Sequence, residues 1–363
     1  MTRPGTSTPT HSASSYTQRQ ALVAWKSGVH QTGGTPGFIL ALSTLEYKAM
    51  DRQPTVTVGF VPRERFSLAK QTLNSILENT EIPFNLMVVD CDTPRKYWRD
   101  IESTLADRRN IQIIHSDRYL LPGESRNLVL EQCQDDYVCF VENDCFVAKR
   151  WLSHLIQSAQ ITKSRVVTPL IVESHSWNKS MLQVHHDPFL GAVQTRVCDG
   201  RVVRSFTEAP NVRSLRSTAL HRVDTLEEHC VLFERSIFEE IGLFDEHLNV
   251  NDHVDLLLTL HEHEIPILLD PSVWVRFSPP PPIEPDERPF AEFRWDAERA
   301  LASYQRLLDK WNVSNLPEGV HFAKTTLRYR SGYLRWWFYR GVKRAFKHDL
   351  VERVISDEVD SRR

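Results

Sequence analysis

Four carboxylates stand at the ends of two apolar runs. The run Asn85-Leu86-Met87-Val88-Val89-Asp90 closes on an acid, and Asp92 follows it. A second run over residues 136–142 closes on Glu142, with Asp144 two positions on. An ionised carboxylate only accepts hydrogen bonds, so it suits hydroxyl and imide donors, and hard cations such as Mg²⁺ and Mn²⁺ take oxygen ligands of this kind. Acids just past a strand are also ordinary turn formers, so either pair alone is weak. A third polar group, Asp252-His253-Val254-Asp255, opens an apolar periodic run. Asp252 suits a helix N-cap there, while an imidazole such as His253 titrates near neutrality and can act as a base. Arg126 offers a guanidinium, whose planar fork fits phosphate oxygens; pairing with Glu142 or Asp144 in a structural role is the alternative.

The elements that must carry these residues alternate. Residues 55–61 are β-branched and apolar and read as a buried strand. Phe66, Ala69, Leu73, Ile76 and Leu77 recur at helical spacing over 66–79. A strand over 85–90, a helix near 94–106, a strand over 111–114, a helix over 123–133, the strand to 142, a helix over 149–161 and a strand over 166–171 follow. Strand and helix in alternation predict an α/β fold, with a mostly parallel sheet covered by helices on both faces. Ligands of such sheets gather outside the carboxyl ends of the strands, where both acid pairs fall. Residues 173–226 are polar and predict an irregular insertion near an acceptor, with His175, Trp177, His185 and His186 in it. Order returns with a strand at 230–233, helices over 235–241 and 252–262, and strands near 265–276. The run Ser278-Pro279-Pro280-Pro281-Pro282 is stiff and marks a boundary, beyond which residues 289–311 read as a helix.

The chain has 363 residues, with 41% hydrophobic and 25% charged residues. That is room for one large domain with extensions. The formal net charge of -3 gives no global argument for nucleic-acid binding. Six cysteines occur without a CxxC pair, and several sit in apolar runs, so reduced thiols in a cytoplasmic protein are expected. Residues 1–20 read as a disordered tail without an apolar signal core, and 21–53 as an N-terminal appendage.

Several segments together resemble the family-2 glycosyltransferases. Val88-Val89-Asp90-Cys91-Asp92 is similar to the family's nucleotide-binding strand, and Gly123-Glu124-Ser125-Arg126-Asn127 to its G-x-x-x-R-N stretch. Glu142-Asn143-Asp144 stands where the family has D-x-D. Residues 238–246 resemble its FEEIGxFDE segment, Asp252-His253-Val254-Asp255-Leu256 its EDVDL, and Leu307-Leu308-Asp309-Lys310-Trp311 its late K-W helix. The resemblance spans about residues 54–312, with a gap over the insertion. It implies the GT-A fold over a catalytic domain at 54–283, followed by a C-terminal helical extension at 284–363.

The resemblance also implies transfer of a sugar from a nucleotide-diphosphate donor to a glycan or lipid-linked acceptor, with inversion, in polysaccharide or glycoconjugate synthesis. Mg²⁺ or Mn²⁺ would be held by Asp144 and Glu142. Asp90, Asp92, Arg126 and Glu142 would bind the nucleotide. Asp252 or His253 would be the base, supported by Asp255. The family's base position is filled by His253, with Asp252 one residue earlier. A third metal ligand is missing from Val273-Trp274-Val275-Arg276-Phe277, where many members carry a histidine. The pairs His185-His186 and His261/His263 lack the i, i+4 spacing of two ligands on one helical face, and are expected to be solvated.

Residues 328–347 carry seven Lys or Arg and no acid, interleaved with aromatics. They could lie on the inner face of an anionic membrane as a peripheral anchor, or pack their rings on the catalytic domain. Two other functions compete. A nucleotidyltransferase would want a Gly-rich phosphate loop, which Gly59-Phe60-Val61-Pro62-Arg63 does not supply. A non-catalytic nucleotide-sugar-binding or membrane scaffold protein would explain His253.

Overall fold

The computed structural model describes residues 53–106, 108–174, 182–198, 201–207, 210–212, 219–278 and 283–315. The readings of the 1–20 tail, the appendage up to residue 52, His175, Trp177 and the basic aromatic segment 328–347 lie outside them.

In chain order the elements are β1 (Val56–Val61), α1 (Ala69–Asn79), β2 (Asn85–Cys91), α2 (Arg95–Leu105), β3 (Ile111–Ser116), α3 (Pro122–Gln132), β4 (Tyr137–Glu142), β5 (Cys145–Val147), α4 (Trp151–Thr162) and β6 (Val166–Glu173). Then come β7 (Gln183–Val184), β8 (Ala192–Cys198), β9 (Arg201–Thr207), β10 (His221–Val223), β11 (Cys230–Glu234), α5 (Ile237–Ile241), α6 (Asp252–Glu262) and β12 (Ile267–Phe277). A short 3₁₀ turn over Pro285–Glu287 leads into α7 (Arg288–Arg294), α8 (Ala297–Trp311) and β13 (Val313–Asn315).

The main sheet runs β10-β12-β6-β11-β4-β1-β2-β3, with β5 on β12 and β7 on β6. The pairs β4–β1, β1–β2, β2–β3 and β12–β6 are parallel. β11 runs antiparallel between β4 and β6. Alternate residues of each strand feed opposite faces. In β4, Val138 and Phe140 join one core and Cys139 and Val141 the other. One core is closed by Leu73, Ile76, Ile101, Leu152 and Leu155 from α1, α2 and α4. The other is closed by Val129, Leu130, Val254, Leu257, Phe290 and Leu307 from α3, α6, α7 and α8. Both faces are therefore apolar, which is why the strands read as continuous hydrophobic runs.

The span 173–226, read as irregular, carries the strands β7 to β10 among its described residues, with turns and irregular chain between them. β8 and β9 form an antiparallel hairpin, and β13 adds to β9 as a third strand. Most of β8 is exposed on both sides, so no apolar alternation betrays it. The helix read over 289–311 is two helices. Trp295 ends α7, and the Asp296 carboxylate accepts from the Arg299 N–H at 2.8 Å, restarting the chain as α8.

These last helices are built into the core. Phe290 meets Phe66 at 4.7 Å and Tyr119 at 5.3 Å between ring centroids. Buried Glu287 accepts from the N–H groups of Phe66 and Ser67, both at 2.6 Å, just ahead of α1. Glu287→Ala strands two buried donors. It should cost about 2–4 kcal/mol in urea denaturation, and an unchanged midpoint would show that water satisfies those donors instead.

Candidate active site at the strand ends

β1, β2 and β4 are parallel neighbours, so Asp90 and Glu142 leave the sheet at the same edge, with β1 between them. Two strand spacings put them roughly 10 Å apart. Asp90 divides its two oxygens. One accepts from the Thr93 N–H at 3.0 Å, an Asx-type turn, and the other faces His115 Nδ1 at 3.0 Å. Asp92 stands in the left-handed region with φ 57° and an exposed side chain.

Glu142 is buried and carries the densest set of partners. Its Oε1 accepts from Arg126 Nη2 at 3.1 Å, and its Oε2 from His229 Nδ1 at 2.6 Å and Arg63 Nε at 3.1 Å. Burial opposes ionisation here, but Arg63, His229 and Arg126 outweigh it and hold the carboxyl below its ordinary range. Asp144 is fully buried, and its Oδ2 faces Arg63 Nη1 and Arg65 Nη2, each at 3.5 Å. Those separations are long for charge-assisted bonds, so Asp144 is near positive charge without being saturated by it.

Arg126 is almost fully buried and joins three acids. Its Nη1 lies 3.1 Å from Glu228 and 3.2 Å from Asp252, while Nη2 holds Glu142. Its guanidinium also sits 5.5 Å from the centre of the Phe244 ring. Asn127, the next residue, exchanges hydrogen bonds with the Phe244 backbone at 2.9 and 3.0 Å and donates to Glu246 at 2.9 Å. Gly123 opens the same helix where a Cβ would come within 2.8 Å of the Asp245 carbonyl oxygen. The GESRN and FDE stretches are thus two halves of one contact.

The residues at the head of α6 diverge. The left-handed Asn251 (φ 58°) holds the cap position, so Asp252 is the first residue inside the helix rather than its N-cap. Asp252 joins the Arg126 cluster. Burial opposes its ionisation, yet Arg294 and Arg126 hold its carboxyl well below the ordinary range. His253 turns the other way, onto the Phe206 ring of β9 at 5.8 Å. Asp255 supports neither: its oxygens accept from Trp311 Nε1 at 2.6 Å and Lys310 Nζ at 2.9 Å, pinning α8 to α6. Arg294 is buried beside this group with Nε and Nη1 unpartnered.

Several groups of the site were not singled out from the sequence. Because β11 is antiparallel to β4, its first residue Cys230 pairs with Val141, and His229 arrives directly across from Glu142. Glu227 and Glu228 come with it. His185, expected to be solvated, is largely buried, with its ring 5.3 Å from that of His229. His261 and His263 are exposed, as read. Oxygen, nitrogen and sulfur atoms of Glu142, Asp144, Cys145 and His229 lie within 4.8 Å of one another and offer a buried donor set for a metal ion.

A family model described as glycosyl transferase family 2 matches residues 63–242, the stretch that holds Arg63, Arg126, Glu142, Asp144 and His229. The chain belongs to that family. Its fold, a mostly parallel mixed sheet between helices, agrees with the α/β architecture expected from the sequence. Among solved structures, the family-2 chain is similar to GalNAc-T7 with UDP, GalNAc and Mn²⁺, at 14% identity over 72% of this chain and 55% of that one, with a TM-score of 0.47. It is also similar to S. aureus TarS 1-349 in complex with UDP-GlcNAc, at 15% identity over 76% of this chain and 72% of that one, with a TM-score of 0.47. The chain therefore spans little more than half of the first of these. A search of curated proteins finds no match.

Glu228 gives the site a measurable proton. Burial, with the Asp252 carboxylate beside it, raises its pKa well above the ordinary 4.5 despite Arg126. The fold thus holds a proton that the unfolded chain releases. Stability linked to it is complete below about 4.5 and declines as the pH rises toward the folded-state value. Glu228→Gln removes this titration. Its Tm should fall less than that of the wild type between about pH 5 and 8, read by scanning fluorimetry; parallel declines would place an ionised Glu228 in the fold.

Proposed function

We propose that this family-2 protein transfers a sugar from a nucleotide-diphosphate donor to an acceptor hydroxyl, with inversion, and that it uses a divalent cation, Mg²⁺ or Mn²⁺. The observation that carries this reading is the junction at Glu142. One edge of a parallel sheet brings together acids for a cation, arginines for a diphosphate and an ionised acid at a helix start.

In this reading Asp92, and the Asp90 oxygen that faces the exposed His115, accept from the base and ribose. The roughly 10 Å from there to Glu142 is a span that a nucleoside diphosphate bridges. Asp144 is the direct cation ligand, with Glu142 orienting it or holding a cation-bound water. The donor set fits: two buried carboxylates sit together, and the long contacts of Asp144 leave it lone pairs to give. Such a cation supplies charge to the diphosphate as it leaves the sugar. Arg63 and the unpartnered nitrogens of Arg294 are the protein's own cations for the same task.

Asp252 accepts the proton of the acceptor hydroxyl as the new C–O bond forms and the bond to the diphosphate oxygen breaks. The protonated Glu228 and the Arg126 guanidinium fix its orientation. His253 faces the hairpin and shapes the acceptor side. The acceptor is a glycan or a lipid-linked glycan, and polysaccharide or glycoconjugate synthesis is the setting that the family suggests. Among the described residues no helix is long and apolar enough to cross a membrane.

A thermal-shift screen of nucleotide sugars with and without Mn²⁺ tests the reading. Stabilisation should need both components, and Asp144→Ala should abolish it. With the donor in hand, Asp252→Asn should lower turnover by about 10²- to 10⁴-fold, whereas His253→Ala keeps it within about tenfold. Full turnover in Asp252→Asn would remove Asp252 as the base. A protein that binds no nucleotide sugar would leave the scaffold function standing.

A further inference from the structure

A second polar cluster lies on the far side of Glu142. One ring nitrogen each of His185 and His229 and one carboxylate oxygen of Glu227 fall within 4.8 Å of one another. Each of the three is oriented by a partner of its own. His229 Nδ1 donates to Glu142 Oε2 at 2.6 Å. His185 Nδ1 lies 3.3 Å from Glu173 Oε2, and a carboxylate there can only accept. Glu227 Oε1 faces His186 Nδ1 at 2.5 Å.

With Nδ1 of each histidine spent on a carboxylate, Nε2 is the ring nitrogen that remains for an ion, and Oε2 is the oxygen that remains to Glu227. His185 Nε2 and Glu227 Oε2 are 3.8 Å apart. That is too far for a hydrogen bond, but close to the roughly 3.3 Å that separates two ligands of a tetrahedral ion bound at about 2.05 Å. Carboxylate–histidine–metal relays are built this way, with the outer acid setting the tautomer and the ring angle.

The surroundings agree with the chemistry. Phe277 stacks on His229 with ring centroids 4.3 Å apart, and lies 5.2 Å from the His185 ring, walling one side with apolar surface. His185 itself is only 15% exposed, so the cluster is largely withdrawn from water.

The geometry points to a second metal site, formed by His185, Glu227 and His229, for a borderline cation of the Zn²⁺ class. It is centred on His185 and Glu227 rather than on the Asp144 carboxylate proposed for the donor, with His229 in reach of both donor sets. Two imidazoles and one carboxylate are the ligands such an ion prefers over Mg²⁺. Three protein ligands leave a fourth position for water or a substrate oxygen, the composition of an open site rather than a closed structural one. The proposal does not depend on sugar transfer, since the site is defined without a donor.

The test uses full-length, untagged protein, stripped with a chelator and free of nucleotide. Zn²⁺ is titrated by calorimetry, and Co²⁺ by its d–d absorption. The wild type should take one equivalent that Mg²⁺ does not displace, with the intense visible bands of a four-coordinate nitrogen–oxygen site. His185→Ala and Glu227→Gln should each weaken that equivalent by about 100-fold. Glu173→Gln keeps all three ligands but loses the orienting acid, and should weaken it by about 10- to 100-fold. Asp144→Asn should leave it intact. Circular dichroism confirms that each variant is folded, and Glu173→Gln carries the test if His185→Ala is not. Binding that is absent from the wild type, unchanged in the His185, Glu227 and Glu173 variants, or lost in Asp144→Asn would overturn the site. None of these outcomes bears on donor binding, which the thermal-shift screen reads separately.

Discussion

Everything at the strand ends depends on one buried cation. The Arg126 guanidinium faces Glu142, Glu228 and Asp252, and only 1% of its side chain is exposed. Glu142 also has Arg63, and Asp252 has Arg294 nearby, but among the described residues Glu228 has no second cation, and an ionised acid so placed is expensive out of water. The fold resolves this by keeping a proton on Glu228, so that Glu142 and Asp252 are ionised and Glu228 is not. A related acid pair would otherwise share its titration, and here geometry splits it. Removing Arg126 would release α3 from β4, α6 and the segment leading into β11, each of which supplies one acid.

The antiparallel strand β11 explains how so many charges reach one place. In a wholly parallel sheet the residues preceding a strand lie at the opposite edge from those following its neighbour. Reversing β11 brings its leading residues, Glu227 to His229, to the carboxyl end of β4. Glu142 then has two sides. Its Oε1 belongs to the arginine cluster, and its Oε2 to Arg63 and His229. An arginine cluster and a histidine cluster are thus linked through one carboxylate. A change of charge in either cluster must be felt in the other through Glu142.

The parallel half of the fold was plain in the sequence because its strands are buried on both faces and its helices repeat apolar residues every three or four positions. The carboxylates at the strand ends could be read for the same reason: an acid that closes an apolar run stands out against the residues before it. What could not be read was contact between distant segments. Nothing local marks His229 or Glu228, whose positions follow from strand direction. Nothing local shows that Asp255 serves Trp311 and Lys310 and not the acids beside it. The β8–β9 hairpin escaped notice because its exposed faces carry no periodic pattern. No histidine follows β12, but His229, from the segment ahead of β11, stacks against Phe277, the last residue of that strand.

The entry to α6 shows how the backbone chooses between two neighbouring side chains. Successive helical residues point about 100° apart, so Asp252 and His253 cannot both face the Arg126 cluster. Asn251 decides the matter. Its left-handed conformation, at a cost of about 1 kcal/mol for a residue other than glycine, bends the chain sharply into the helix and aims the first residue inward. Asp252 then lies in the first turn, where free N–H groups favour an ionised acid, and within reach of Arg126. His253 is carried round to Phe206 and the hairpin. An imidazole in the place of Asp252 would bring no negative charge to Arg126 and would leave Glu228 without its acceptor. The acid at 252 is therefore tied to the charge balance of the whole site, whereas the side chain at 253 stands outside it.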